Sequence, residues 1–195
     1  IPYLDQLTPE SHRTQSVNTI YLENNQLIGH NTDIEGFEKS IQDLKLEMTN
    51  KKVFVLGAGG VVPSIIFALN KMRVSKVIIS NRTRGKTESL KDIFKNIKIV
   101  EWGEIPEFDI IINATSVGLK NDDTIDLDFS KVGKNKLFYD VIYKPNETNF
   151  LKVGKKLGNI TENGKMMFIY QALGAFKMWH GIQPKINTEV IKILD

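Results

Sequence analysis

Val53-Phe54-Val55-Leu56-Gly57-Ala58-Gly59-Gly60, followed further on by Val77-Ile78-Ile79-Ser80-Asn81-Arg82-Thr83, is the stretch on which the reading of this chain turns. Each apolar run reads as a buried strand, the glycines as a tight turn, and Val61 to Lys71 as a helix leading back to the sheet. In such a unit the glycines let the backbone approach a dinucleotide's pyrophosphate, and the helix start offers unpaired N–H groups and a positive dipole end. A glycine turn without a ligand has the same spelling, and Val62 stands where a third Gly or Ala is expected.

The end of the second run argues for a ligand. NAD sites place Asp or Glu there for the ribose hydroxyls. Here the chain has Asn81, Arg82, Thr83 and then Lys86, with no acid. Arg offers planar forked donors to a 2′-phosphate and Lys adds a point charge, so the residues point to NADP. As a mere exposed first turn, Arg82, Arg84 and Lys86 would oppose the helix dipole, and a bound dianion removes that conflict.

Outward from this unit, strands and helices alternate. Candidate strands are 53–56, 77–80, 97–100, 110–113 and 137–141, with a weaker one near Ile160; candidate helices are 61–71, 83–95 and 146–157. Solid apolar strands between helices predict an α/β fold with a doubly wound parallel sheet of the Rossmann kind. Pro63 fits a helix's first turn, where its missing N–H has no acceptor to lose.

Before the sheet, residues 1–16 read as a short helix and loop, and 17–30 as a hairpin turning at Glu23-Asn24-Asn25. Thr32-Asp33-Ile34-Glu35 has the spelling of a capping box, followed by a helix with Ile34, Phe37, Ile41 and Leu44 on one face. After the sheet, 166–179 is apolar on almost every face, which predicts a largely buried helix, and 186–194 a last amphipathic one.

Composition narrows the class. Twenty-six basic and 23 acidic residues give a net charge of +3 without a long block, so no nucleic acid partner is implied. The absence of Cys removes disulfides and thiolate chemistry, and three scattered His residues suggest no metal site. No apolar run approaches the ~20 residues that span a bilayer, so a soluble cytoplasmic protein with no membrane partner is expected.

Taken together, the motifs resemble the shikimate dehydrogenases. The likeness covers nearly the whole chain: Val17-Asn18-Thr19, Gly29-His30-Asn31-Thr32-Asp33 with Gly36, Gly57 to Gly60, Asn81 to Thr83, Asn113 to Gly118, Tyr139-Asp140 with Tyr143, Pro145 and Thr148, and Gly164 with Gln171, Ala175, Phe176 and Trp179. The resemblance implies NADP-dependent interconversion of 3-dehydroshikimate and shikimate in aromatic amino acid biosynthesis. By matching motif it implies that Asn18, Asp33, Tyr143 and Gln171 bind substrate, with Asp33 also in the catalytic pair. Gly57, Ala58, Gly59 and Gly60 would hold the cofactor's phosphates. Asn81, Arg82, Thr83 and Lys86 would take its 2′-phosphate, Thr115, Ser116 and Val117 would lie at its nicotinamide end, and Gly164 would also bind the cofactor.

Each residue also has a plainer reading. Asp33 is a good helix-start residue, Gln171 a core amide satisfied by backbone, and Tyr143 a packed aromatic. Two other functions remain open, a non-catalytic NADP-binding module and a quinate/shikimate dehydrogenase.

Family members also carry an N-terminal substrate domain whose lysine, just before the stretch matching Ile1-Pro2-Tyr3, partners the aspartate. The expectation is therefore a truncated form: a remnant of the substrate domain at 1–45, an NADP-binding domain at 46–163, and C-terminal helices at 164–195 packing between them. Such a form should bind the cofactor, turn over little, and self-associate through uncovered apolar surface.

Overall fold

The computed structural model describes residues 1–194. Two sheets of different size carry the chain. The small one orders β1 (Gln6–Leu7), β3 (Gln26–His30) and β2 (Thr19–Glu23), β1 parallel and β2 antiparallel to β3, with α1 (Pro9–Thr14) leaving β1. The hairpin turns through Asn24 and Asn25, both at positive φ, a conformation Asn tolerates. The strand at β1 is not expected from the sequence, since a two-residue piece of mixed polarity has no periodicity to read.

α2 (Asp33–Asp43) then crosses to the large sheet. It buries Ile34, Phe37 and Ile41, which the sequence spacing had placed on one face. The expected capping box does not form. Thr32 is helical in backbone and its hydroxyl donates to Asn18 Oδ1, while Glu35 pairs forward with Lys39 at 2.6 Å. Asn31 takes the capping role instead, its Oδ1 accepting from the Asp33 N–H at 3.0 Å.

The large sheet has six parallel strands in the order β6-β5-β4-β7-β8-β9. In chain order they are β4 (Lys52–Leu56), β5 (Lys76–Ser80), β6 (Lys98–Ile99), β7 (Ile110–Asn113), β8 (Leu137–Asp140) and β9 (Ile160–Glu162). Between them run α3 (Val62–Lys71), α4 (Arg84–Ile93) and α5 (Asn149–Lys156). This is the expected doubly wound sheet, and alternation along each strand explains why its strands are solidly apolar. Val53, Val55, Val77, Ile79, Ile110, Ile112 and Tyr139 face the core under α2 and α3, whereas Phe54, Leu56, Ile78, Ile111 and Phe138 face a second core closed by Phe150 and Leu151 of α5.

Winding reverses between β4 and β7, which are hydrogen-bonded neighbours although two strands intervene in sequence. The carboxyl ends of strands at such a switch point form a crevice where ligands bind in open α/β sheets. β6 is shorter than the expected 97–100, because as the edge strand it pairs only at Lys98 and Ile99.

The C-terminal helices depart further from expectation. α6 (Lys165–His180) buries Met167, Ile169 and Ala175, but Phe176 is 39% and Trp179 55% exposed. One side of α6 lies on α2, and α7 (Thr188–Lys192) spans only part of the rest, with an open groove of about 310 Å³ between Phe168, Leu173, Phe176 and the 184–194 segment. The helix is apolar all round yet only half covered. Among the described residues, no helix is long and apolar enough to cross a membrane.

Candidate active-site cleft

Gly57 opens the cleft. Its φ of +109° is strained for any side chain, and a Cβ there would meet the Ala114 carbonyl oxygen at 2.7 Å, so the ends of β4 and β7 touch backbone to backbone. Beyond it the turn is bare. A Cβ on Gly60 would meet nothing within 4 Å, and one on Gly59 only the Ala114 oxygen at 4.0 Å. Ala58 tucks against the core. α3 then begins at Val62, with Pro63 in its first turn, no side-chain cap and no acid. The Val62 N–H is spent on the Gly59 carbonyl at 3.1 Å and Pro63 has none, so what the helix offers the open turn is its positive dipole end.

At the neighbouring strand end, Asn81 Nδ2 donates to the Thr83 carbonyl at 2.9 Å and shapes the turn into α4. Arg84 is engaged with Glu88 at 3.0 Å and with Glu101. Arg82 and Lys86 are exposed, and among the described residues neither forms an ion pair. Ser80, at the end of β5, has a buried hydroxyl with no partner. A positive helix end, a turn without side chains and two cations without ion pairs among the described residues fit a phosphate-bearing dinucleotide.

The β7 end carries a compact hydrogen-bonded turn. Asn113 Oδ1 accepts from the Thr115 N–H at 3.1 Å and hydroxyl at 2.7 Å, and Val117 N–H donates to the same hydroxyl at 3.1 Å. Asn113 Nδ2 reaches the Val117 carbonyl at 3.1 Å and Asp140 Oδ1 at 3.0 Å. Ser116 is exposed at its tip. Asp140 in turn accepts from the Ile142 N–H at 3.0 Å and the Thr148 hydroxyl at 2.6 Å. Burial pushes its carboxyl up to about 6, against the pull of those donors.

Asp33 stands in the first turn of α2. Asn18 Nδ2 donates to its Oδ1 at 2.8 Å, and Asn18 Oδ1 is itself fixed by Thr32 N–H, Thr32 hydroxyl and Thr19 hydroxyl. Burial raises the Asp33 pKa and the Asn18 bond partly offsets it. No cation pairs with this carboxylate among the described residues.

Gln171 lies across the α2–α6 seam, its backbone N 3.0 Å from where a Gly36 Cβ would sit. Its Nε2 donates to the Phe168 carbonyl at 3.1 Å, so half of the amide is satisfied by backbone, as the plainer reading supposed. Tyr143 stacks on Phe168 with centroids 4.4 Å apart, and its hydroxyl makes no hydrogen bond among the described residues. Gly164 caps α6 against β8's end, where a Cβ would fall 2.0 Å from the Val141 oxygen. Packing by itself already demands glycine there.

Thus the residues read from the sequence fall into two connected groups: the glycine turn with Arg82 and Lys86, and Asn18 with Asp33. Gln171 and Gly36 share the face of α6 and α2. Sequence reasoning assigned no role to Ser16, Asn31 or Ser64, which join the two groups. An Asn before a helix carries only a capping signal, and nothing in the sequence says what lies beyond it.

Comparison with known proteins follows the same lines. The family model described as shikimate / quinate 5-dehydrogenase matches residues 38–138. The chain is 55% identical over 195 residues to a shikimate dehydrogenase (NADP(+)) of Pelagibacter ubique, covering all of this chain and 74% of that protein. Among solved structures, shikimate dehydrogenase from Aquifex aeolicus superposes with a TM-score of 0.88 at 36% identity, covering 100% of this chain and 71% of that one. A shikimate dehydrogenase in complex with NADP+ gives 0.89 at 34% identity, covering 99% and 70%.

Proposed function

This chain belongs to the shikimate / quinate 5-dehydrogenase family, and we propose that it interconverts 3-dehydroshikimate and shikimate with NADP(H). The observation that carries the cofactor reading is the junction of β4 and β5. There an uncapped, acid-free helix start lies beside Arg82 and Lys86, two cations without ion pairs among the described residues. A site built for NAD would present an acid at Arg82 or its neighbours.

NADP(H), when bound, supplies or takes the hydride. The chain's residues do the rest. Gly57 to Gly60 and the positive end of α3 would hold the pyrophosphate; Asn81, Arg82, Thr83 and Lys86 would hold the 2′-phosphate. Thr115, Ser116, Val117 and Gly164 border the nicotinamide end. Asn18 donates to Asp33 and orients its carboxylate, so that the two present one donor and one acceptor to neighbouring ring hydroxyls of the substrate. Asp33 holds or releases a proton at the reacting oxygen, and its burial lifts its pKa toward the range useful for that transfer. Tyr143 and the free Oε1 of Gln171 complete the polar wall.

Equilibrium titration tests the cofactor half. NADPH should bind with clear preference over NADH, and Arg82→Ala should erase the preference; equal affinities in the parent protein would sink the clamp assignment. The 195-residue polypeptide by itself should bind NADPH yet turn over slowly, because Asp33 has no cationic partner among the described residues. A rate comparable with that of a full-length relative would contradict this. A quinate-active enzyme remains the second reading, favoured by the breadth of the matching family model. Paired kcat/KM values for shikimate and quinate decide between them.

A further inference from the structure

Between the phosphate turn and Asp33 lies a buried side chain that belongs to neither. Asn31 is 1% exposed, and three of its four side-chain hydrogen-bonding positions are used. Its Nδ2 donates to the Ser16 carbonyl at 3.1 Å and to the Ser64 hydroxyl at 2.9 Å, and its Oδ1 accepts from the Asp33 N–H at 3.0 Å. Ser64 is fully buried in the first turn of α3, the helix whose start faces the glycine turn. Ser16 closes a circuit by donating from its own hydroxyl to the Gly60 carbonyl at 3.1 Å.

A capping Asn needs only to accept from a helix N–H. This one also spends both amide hydrogens on two other segments. The Asn31–Ser64 bond is buried, so water does not replace it when it is lost and a shift at Ser64 must be met by a shift at Asn31, whereas the Ser16–Gly60 bond is open to solvent and couples more loosely. Among the described residues, the side chain of Asn31 reaches the substrate side through the Asp33 N–H, at the first residue of α2.

Resting on the proposed cofactor and substrate sites, we propose that Asn31 is a positioning residue that couples them: occupation of the glycine turn immobilises Ser16 and Ser64, and through Asn31 sets the Asp33 carboxylate. Coupling of this kind is reciprocal, so a ligand held by Asp33 tightens the phosphate turn by the same factor.

The test reads Asp33 itself in the full-length protein. Amide hydrogen exchange at Asp33 should slow when NADPH alone is added. Ser64→Ala, which keeps Asn31 and Asp33, should lose most of that slowing, and Ser16→Ala part of it. In titrations, shikimate should raise NADPH affinity by about fivefold or more in the parent protein, and by less than about twofold in Ser64→Ala and Asn31→Ala. Should Asn31→Ala fail to fold, the two serine variants carry the test. If the parent protein does not bind NADPH, the cofactor reading falls and this proposal with it. If it binds NADPH but Ser64→Ala shows the same Asp33 protection and the same coupling as the parent, the proposal alone is overturned.

Discussion

The Thr148 hydroxyl donates to the Asp140 carboxylate over 2.6 Å, and both side chains are shut away from water. That bond, with those from Asn113 and Ile142, ties the β7 turn to the loop carrying Tyr143. The carboxylate is nonetheless held at a cost, since burial pushes its pKa up to about 6. Between the unfolded value near 3.8 and about 6, the folded state binds more protons than the unfolded state. Stability contributed by this group is therefore greatest below that window and falls as pH rises through it, by up to about 3 kcal/mol. Asp140→Asn should flatten this limb in denaturant titrations between pH 4 and 6; an unchanged slope would assign the limb to other groups.

Asp33 answers to a different measurement. In the full-length protein, Asp33→Asn should lower turnover by about 10²- to 10⁴-fold while sparing NADPH affinity. Asn18→Ala removes the donor that offsets burial, so the acid limb of the pH–rate profile should move to higher pH. Full activity in Asp33→Asn would return this residue to the role of a helix-start acid.

Two glycines of the cleft should separate binding from folding. Gly164→Ala drives a Cβ into the Val141 carbonyl and should cost on the order of 3 kcal/mol or more. Gly60→Ala meets open space, so thermal unfolding should stay within about 0.5 kcal/mol of the parent. Its NADPH affinity should nevertheless fall, because the added methyl stands on the bare turn. A Gly60→Ala protein with unaltered affinity would show that the pyrophosphate does not approach there.

The Tyr139 and Ser40 hydroxyls meet at 2.9 Å in the core, and Ser40 already donates to the Phe37 carbonyl at 2.8 Å, so Tyr139 is the donor to Ser40. This pair joins α2 to β8, with Phe37 edge-on to Tyr139 at 5.4 Å. Tyr139→Phe should cost about 1 kcal/mol, and adding Ser40→Ala should cost less than the two single changes together. Strict additivity in a double-mutant cycle would show that the hydroxyls do not support each other.

Apolar side chains around the small sheet make a case for self-association. Ile20, Leu22 and Leu27 share one face of the β2–β3 hairpin and are 49%, 66% and 42% exposed, with Trp179 bonded to the Ile20 carbonyl beside them. The 195-residue polypeptide should therefore self-associate at high concentration in sedimentation. Leu22→Lys should reverse this, and a monomer at all concentrations would count against it.

Legibility in the sequence followed the physics of each element. The strands at Val53, Val77, Ile110 and Leu137 could be read because both faces of the sheet are covered, which demands unbroken apolar runs. Gly57 could be read because a positive φ and a backbone contact leave no other residue free of strain. By contrast, Gln6–Leu7 forms a strand only because Ile28 and Gly29 lie alongside, partners far along the chain. Thr32 and Glu35 spell a capping box, but Thr32 is helical in backbone with its hydroxyl turned to donate to Asn18, and Glu35 pairs with Lys39. The helix at Lys165 shows apolarity without showing what covers it, and its Phe176 and Trp179 stay partly exposed. In the cleft, residue types that bind ligands were visible, whereas the buried bonds that hold them depend on which segments meet.

Gly36 sits where α2 and α6 cross. A Cβ there would fall 2.8 Å from the Met167 oxygen and 3.0 Å from the Gln171 nitrogen, so α2 and α6 cross with almost no space between their main chains. Asp33 is one turn before that crossing on α2, and Gln171 is at it on α6. The two helices are thus a single part in the mechanical sense, and any opening and closing of the cleft has to bend somewhere else. For selection the effect is severe: no variant at Gly36 can adjust the grip on substrate without also prying apart the core beneath it.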